Sequence, residues 1–345
     1  MNGQEYPSAS TWATRLNGFD TGSTTFQLGA SKLTRADWHE LIDPWRRTVE
    51  VCWDDQIVYS GLMMGTTYDR SAATLTVASA EVRTILARRM LFPIGGYATG
   101  TKNFTSRTLR GLIFEILQLA TQGDPSVVWR LPFSFDGLSA EIGPEARTYF
   151  AYLFENAEKL ITDLQDADGG PDVHFQARWA SDLRREWLVR LGSPKLSGPA
   201  RSFTTVGRAP TALNVQETLD GTQMVTGIFL AGAGSEEDML HGEAATVAAP
   251  GGYPSLDVVR QAKKLTDQSQ LNVRAAAERD AFRLPTKQLS FDVLARDFLP
   301  DGVPGSPVAL WDEGDFWLPD GQNYQRCIGM RGDLSERITL DTQAA

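Results

Sequence analysis

A chain of 345 residues with 42% hydrophobic side chains can bury an ample core and has the length of two or three domains. Its 31 Gly and 17 Pro cluster between short apolar runs, as turn residues do in β-rich proteins, so strands should dominate with helices inserted. The formal net charge of -10 removes the attraction on which most nucleic-acid binding depends, although a wall of like sign suits DNA that must slide past without sticking.

In chain order, Thr48 to Trp53, the turn pair Asp54-Asp55 and Gln56 to Gly61 predict a β-hairpin. Leu62 to Tyr68 prolong its second strand, and Ala73 to Ala78 supply a third, with Thr and Val suited to a pleated surface. The period then becomes helical: Val82, Ile85, Leu86 and Met90 share one face, as do Leu109, Leu112, Ile113, Ile116 and Leu117. The run Tyr149, Phe150, Leu153, Phe154, Ala157, Leu160, Ile161 and Leu164 predicts a core-facing helix of about five turns. Gly and Pro in Asp166-Ala167-Asp168-Gly169-Gly170-Pro171-Asp172 stop it, and strand is expected over Val173 to Trp179. Loops at Gly192 to Pro210 and Gly232 to Gly252 are expected domain joints. A helical region from Ser255 to Phe282, broken near Ser269, leads to a strand over Leu289 to Phe298.

The first hairpin then recurs. Val308 to Glu313 repeats its first strand, with Trp311-Asp312-Glu313 where Trp53-Asp54-Asp55 stood. Ile328-Gly329-Met330 matches Ser60-Gly61-Leu62, and Ile338-Thr339-Leu340 matches Leu75-Thr76-Val77. Cys52 and Cys327 lie in the two copies and read as small strand residues, not as a disulfide. A reducing place of synthesis fits. No apolar run approaches the roughly 20 residues that cross a bilayer, and the first ten residues lack the pattern of an export signal, so no membrane anchor is expected.

Chemistry-bearing patterns are incomplete. Asp20-Thr21-Gly22 reads like one loop of an aspartic protease, but no second Asp-Thr-Gly follows, so catalysis would need two loops from a dimer. The run from Asp166 has calcium-type oxygens at its first and third positions, then Pro171 where Gly is wanted and Ala177 where Glu is wanted. Gly232-Ala233-Gly234 lacks the third glycine of a dinucleotide cradle, and His39, His174 and His241 have no zinc-type spacing. No catalytic, cofactor-binding or metal-ligating residue is therefore assigned, and the chain is not expected to be an enzyme.

The two hairpin units, the run Leu164 to Phe175 and the closing segment from Ile328-Gly329-Met330 to Leu340 together resemble minor tail proteins of long-tailed actinobacterial phages, in particular their tail-hub, baseplate hub-like proteins. That resemblance implies an α+β, β-rich fold of two similar antiparallel, tail-tube-like β-barrels with a helical insert. The first barrel would use residues 1–95 with a return segment at 200–235, and the α/β insert 96–199. The second barrel would use 200–345 with its helical segment at 255–283.

The implied function is structural: a homotrimer whose six barrels adapt a six-fold tail tube to a three-fold tip and surround a channel for tape-measure protein and DNA. The implied partners are a distal tail protein ring, the tape-measure protein and other minor tail, tip or fibre proteins, with DNA only in transit. The implied place is the virion tail tip, after synthesis in the host cytoplasm. Because the chain ends soon after the second unit, host recognition is expected to belong to a partner. Two other classes stay open: a carbohydrate-binding β-module for host attachment, and the dimeric aspartic protease using Asp20.

Overall fold

Ser10, Trp12 and Thr14 are buried while Thr11 and Arg15 are exposed, and this alternation makes Ala9–Arg15 the first strand (β1) although it holds few large apolar residues. The computed structural model describes residues 6–92, 100–122, 130–181, 184–245, 252–262, 265 and 267–344. The expected boundary at 95/96 and part of the expected 232–252 joint lie outside the described residues. By contact the chain divides into two compact units, Met1–Val215 with Ser290–Ala345, and Gln216–Leu289.

In the first unit, β1 is followed by β2 (Thr21–Gln27), helix α1 (Arg35–Leu41), β3 (Thr48–Trp53), β4 (Gln56–Asp69) and β5 (Thr74–Glu81). Helix α1 starts where Thr34 and Asp37 exchange hydrogen bonds, each side chain accepting from the other's backbone N–H. The insert comprises β6 (Thr101–Arg107), α2 (Leu109–Gln122), β7 (Phe133–Ser134), β8 (Glu145–Phe150), α3 (Ala157–Gln165), β9 (Val173–Ser181) and β10 (Arg184–Leu191). Leu112, Ile113, Ile116 and Leu117 of α2 pack with Leu160 and Ile161 of α3 and with Val82, Leu86, Val173 and Trp187 in one core. Burying each such side chain contributes about 1.5–3 kcal/mol.

After β11 (Arg201–Thr204), the chain leaves along β12 (Leu213–Asp220) and returns along β16 (Thr286–Leu294), which is followed by α5 (Ala295–Phe298), β17 (Pro307–Asp312), β18 (Gly321–Gly332) and β19 (Arg337–Ala344). The intervening unit holds β13 (Gly227–Ala231), β14 (His241–Ala245), β15 (Asp257–Gln261) and α4 (Gln268–Phe282). There β13 pairs antiparallel with β14 and parallel with β15, and Leu271 and Ala275 of α4 cover Ile228 and Leu230.

The architecture is β-rich α+β, and its main sheet runs β12-β16-β19-β18-β1-β2-β5-β4-β3, with β17 between β11 and β18. Two copies of one topology account for most of it. In the first, β1, β2, a helix and the meander β3-β4-β5 assemble in the order β1-β2-β5-β4-β3. In the second, β12, β16, a helix and the meander β17-β18-β19 assemble in the order β12-β16-β19-β18-β17.

The duplication extends to register. Thr48↔Leu62 in the first copy corresponds to Pro307↔Arg326 in the second. β4 bulges between Met63 and Gly65 and β18 between Cys327 and Gly329, after which Thr66↔Val77 corresponds to Met330↔Leu340. Thr76 and Thr339 are therefore equivalent, and both reach sideways: Thr76 Oγ1 shares a hydrogen bond with Thr25 Oγ1 at 2.9 Å, and Thr339 Oγ1 donates to Asp292 Oδ1 at 2.6 Å.

Several expectations are corrected. The counterpart of Gly329 is Gly65 and not Gly61, because the bulge sets the register. The acidic turns are not equivalent: Asp54 and Asp55, both at positive φ (44° and 63°), form a two-residue turn, whereas Asp312 ends its strand and residues 313–320 form the loop. The helix expected from Tyr149 begins only at Ala157, capped by Asn156, whose side chain accepts from Lys159 N–H at 2.9 Å. Before it, β8 ends at Phe150 and Phe154 adopts φ 51°, leaving Phe150, Leu153 and Phe154 exposed. Val82–Arg88 is a 3-10 helix, and the region from Ser255 is strand β15 before α4, which Asp267 caps.

Candidate assembly surface

The two copies meet at a strand pair. β1 lies antiparallel to the distal half of β18, with Trp12 opposite Gly332, Ala13 opposite Arg331, Thr14 opposite Met330 and Arg15 opposite Gly329. A Cβ on Gly332 would stand 2.8 Å from the Trp12 ring, so glycine is what lets the buried indole close the seam.

Beneath the seam lies a buried polar cluster. The Thr14 hydroxyl donates to Glu81 Oε1 at 2.5 Å and stands 3.4 Å from His174 Nε2, while Asp20 N–H donates to Glu81 Oε2 at 2.8 Å. Burial pushes the Glu81 carboxyl up to about 8, so it is mostly protonated at neutral pH. Burial, assisted by the positive charge of Arg190, pushes His174 down to about 3, so the ring is neutral. The cluster thus holds an acid and a base without net charge. It borders a cavity of 70 Å³ also lined by Tyr59, Gly302 and Met330.

A second joint binds the insert to both copies. Asp172, between α3 and β9 and 4% exposed, accepts from Asn17 Nδ2 at 2.8 Å, from Leu196 N–H at 2.7 Å and from the Arg326 guanidinium. Asn17, in the β1–β2 turn at φ 60°, in turn accepts on its Oδ1 from Val173 N–H at 2.8 Å. One carboxylate therefore holds the first copy, the second copy and the insert.

The solvent face of the main sheet carries small, uncharged residues: Thr11 and Ala13 from β1, Ser23 and Thr25 from β2, Thr76 and Ala78 from β5, and Thr339 from β19. Two ion pairs lie there, Arg15 with Asp20 at 2.7 Å and Arg331 with both oxygens of Asp341 at 2.7 Å, while Asp292 accepts from Asn214 and Thr339. Around the seam this face forms an open concavity of 500 Å³ bordered by Thr11, Asp292, Arg331 and Thr339.

The residues singled out from sequence are dispersed. Asp20 is held by Arg15 at the start of β2, and the Asp166 run contains a capping residue and the structural Asp172. Gly232-Ala233-Gly234 connects β13 to β14 and does not open an α-helix. His39 lies on α1, His241 on β14 and His174 beneath the seam. Among the described residues no group of three His, Cys, Asp or Glu is placed to hold a metal ion. Cys52 and Cys327 are free thiols, exposed on β3 and buried on β18, so they do not occupy equivalent strands. Sequence reasoning missed Glu81, Asn17, Asp172 and Arg326 as joint residues, since single polar residues in a turn, at a strand end or within a strand carry no spacing signal.

No protein-family model matches the chain, and no curated protein matches it by sequence. Solved structures do. The chain is similar to the tail protein from Neisseria meningitidis MC58, at 14% identity and TM-score 0.57, over 98% of this chain and 92% of that one. It is also similar to the 43 kDa tail protein of prophage MuSo2 from Shewanella oneidensis, at 9% identity and TM-score 0.58, over 98% and 94%. A third likeness is to the E. coli c3393 protein, at 10% identity and TM-score 0.52, over 98% and 73%. That protein is described as a component of the type VI secretion system with structural similarity to the T4 bacteriophage tail proteins gp27 and gp5. The fold is thus one found in phage tail proteins and in a type VI secretion component.

Proposed function

We propose that the chain is a structural hub protein of a phage tail tip, of the kind found in long-tailed actinobacterial phages, and acts as a virion component without catalytic activity. Three copies form a ring in which six similar β units surround a channel for tape-measure protein and DNA. The first tube-like barrel takes residues 1–95, the insert 96–199, and the second barrel 200–345, a range that includes the unit Gln216–Leu289. The ring meets a distal tail protein ring on one side and tip or fibre proteins on the other.

The observation that carries this reading is the duplicated unit joined edge to edge through β1 and β18. Two like units per chain give six places to a trimer, matching a six-fold tube and a three-fold tip together. The face of small, mostly neutral side chains suits a channel wall that does not grip its cargo. Differences between the copies supply the three-fold character. The first hairpin ends in the tight Asp54-Asp55 turn, while the second carries a loop on which Phe316 and Trp317 are 100% and 73% exposed. Light scattering on the purified chain is expected to give the mass of three chains; a monomer at every concentration would refute the ring.

The second reading, carbohydrate binding for host attachment, is favoured by Phe150 and Tyr152, which stack at 5.3 Å and are both exposed. The hub reading expects no saturable change in intrinsic fluorescence on titration with bacterial cell-wall polysaccharide. Saturation that disappears in Tyr152→Ala would move the assignment to attachment.

A further inference from the structure

Equivalence between the copies leaves two strand edges without their counterparts. In the second copy, β18 pairs with β17 along its first half and with β1 along Gly329 to Gly332. In the first copy, β4 pairs with β3 only as far as Thr48↔Leu62, and from Gly65 to Asp69 its sole strand partner among the described residues is β5. The stretch Gly65 to Tyr68 is the register equivalent of Gly329 to Gly332, yet no strand among the described residues takes the place that β1 has beside β18.

The reciprocal edge belongs to β12. It is the second copy's equivalent of β1, pairs with β16 on one side, and among the described residues ends the sheet on the other. Side chains at the free β4 edge show what is missing. Met330, opposite Leu340 on the core side and with Thr14 of β1 opposite it on the other side, is 5% exposed. Its equivalent Thr66, opposite the fully buried Val77, is exposed, and Tyr68, opposite Leu75, is 57% exposed. An edge whose core-side residues remain in solvent is incomplete until a strand covers it.

The geometry points to a second copy of this chain as the occupant: β12 of one subunit pairs antiparallel with Gly65 to Tyr68 of β4 in the next, repeating between subunits the join that β1 and β18 make within one. The contact is heterologous, β12 of one copy against β4 of its neighbour. It propagates in one direction and closes into a ring in which joins within and between subunits alternate. This inference rests on the ring reading above and names the strands that build it.

Two experiments on the full chain test it. Thr66→Lys places a charge on the core side of the proposed join, at a residue already in solvent. It should raise the concentration for half-association by tenfold or more in light scattering, with an unchanged urea unfolding midpoint. In a Cys52→Ser background, Thr67→Cys is combined in turn with Gln216→Cys, Thr218→Cys or Asp220→Cys, alternate residues of β12. At least one pair should form a disulfide between chains, with a non-reducing gel ladder ending at three chains. If the wild-type chain is trimeric but Thr66→Lys associates equally well, or no pair cross-links, the strand pairing is wrong while the ring stands. A wild-type chain that never associates overturns both.

Discussion

Asp172→Ala is expected to destabilise the protein by about 3–5 kcal/mol, because it leaves the Arg326 guanidinium buried without its carboxylate and also removes the acceptor of two further donors. The partners identify what comes loose. Asn17 belongs to the turn of the first copy, Arg326 to β18 of the second, and Asp172 to the end of the insert. Asp172→Asn should recover little, since an amide keeps one acceptor oxygen and turns a donor toward donors. Asp172→Ala combined with Arg326→Met should recover part of the loss, because the orphaned charge goes with its partner. Urea unfolding midpoints of the four proteins check this. A loss below about 1 kcal/mol in the single alanine variant would contradict the joint.

The polar cluster beneath the seam should make stability depend on pH in two opposed ways. Glu81 is raised from 4.5 to about 8, so its contribution is complete below pH 4.5 and is lost as pH rises through 8. His174 is lowered from 6.5 to about 3, so its contribution is complete above pH 6.5 and is lost as pH falls through 3. Between pH 4.5 and 6.5 the two trends oppose each other. From pH 6.5 to 8 the Glu81 trend acts alone, with a loss on the order of a few kcal/mol across its whole range. Glu81→Gln should abolish the decline above pH 6.5, and its stability should then fall steadily below that pH through His174 alone. Urea midpoints at pH 5, 6.5 and 8 read both slopes. An unchanged slope in Glu81→Gln between the upper two would remove Glu81 from the account.

The β3–β4 hairpin was legible in sequence because β-branched and aromatic residues flank a two-residue turn, and β19 because Ile338-Thr339-Leu340 repeats the alternation of Leu75-Thr76-Val77. β1 and β2 were not legible. Their inward faces hold Ser10, Thr14 and Thr24 beside Trp12 and Phe26, and the Ser10 and Thr24 hydroxyls satisfy each other at 3.0 Å, so burial leaves little hydrophobic alternation. The glycine match slipped from Gly65 to Gly61 because a bulge adds a residue to one strand without marking the sequence. At Tyr149 to Phe154, helical spacing coincided with a strand end and a left-handed residue, which spacing cannot distinguish from a first helical turn. Of the candidate surface, the repeat was readable and the seam was not. β1, Glu81 and Asp172 act together only through contacts between residues far apart in the chain.

Imaging the assembled tail tip tests the central claim most directly. The account predicts a three-fold ring of this chain in which six similar β units surround an open channel, with Thr11, Ser23 and Thr339 facing the lumen. A single copy at the tip, or a ring whose channel is lined by another protein, would contradict it.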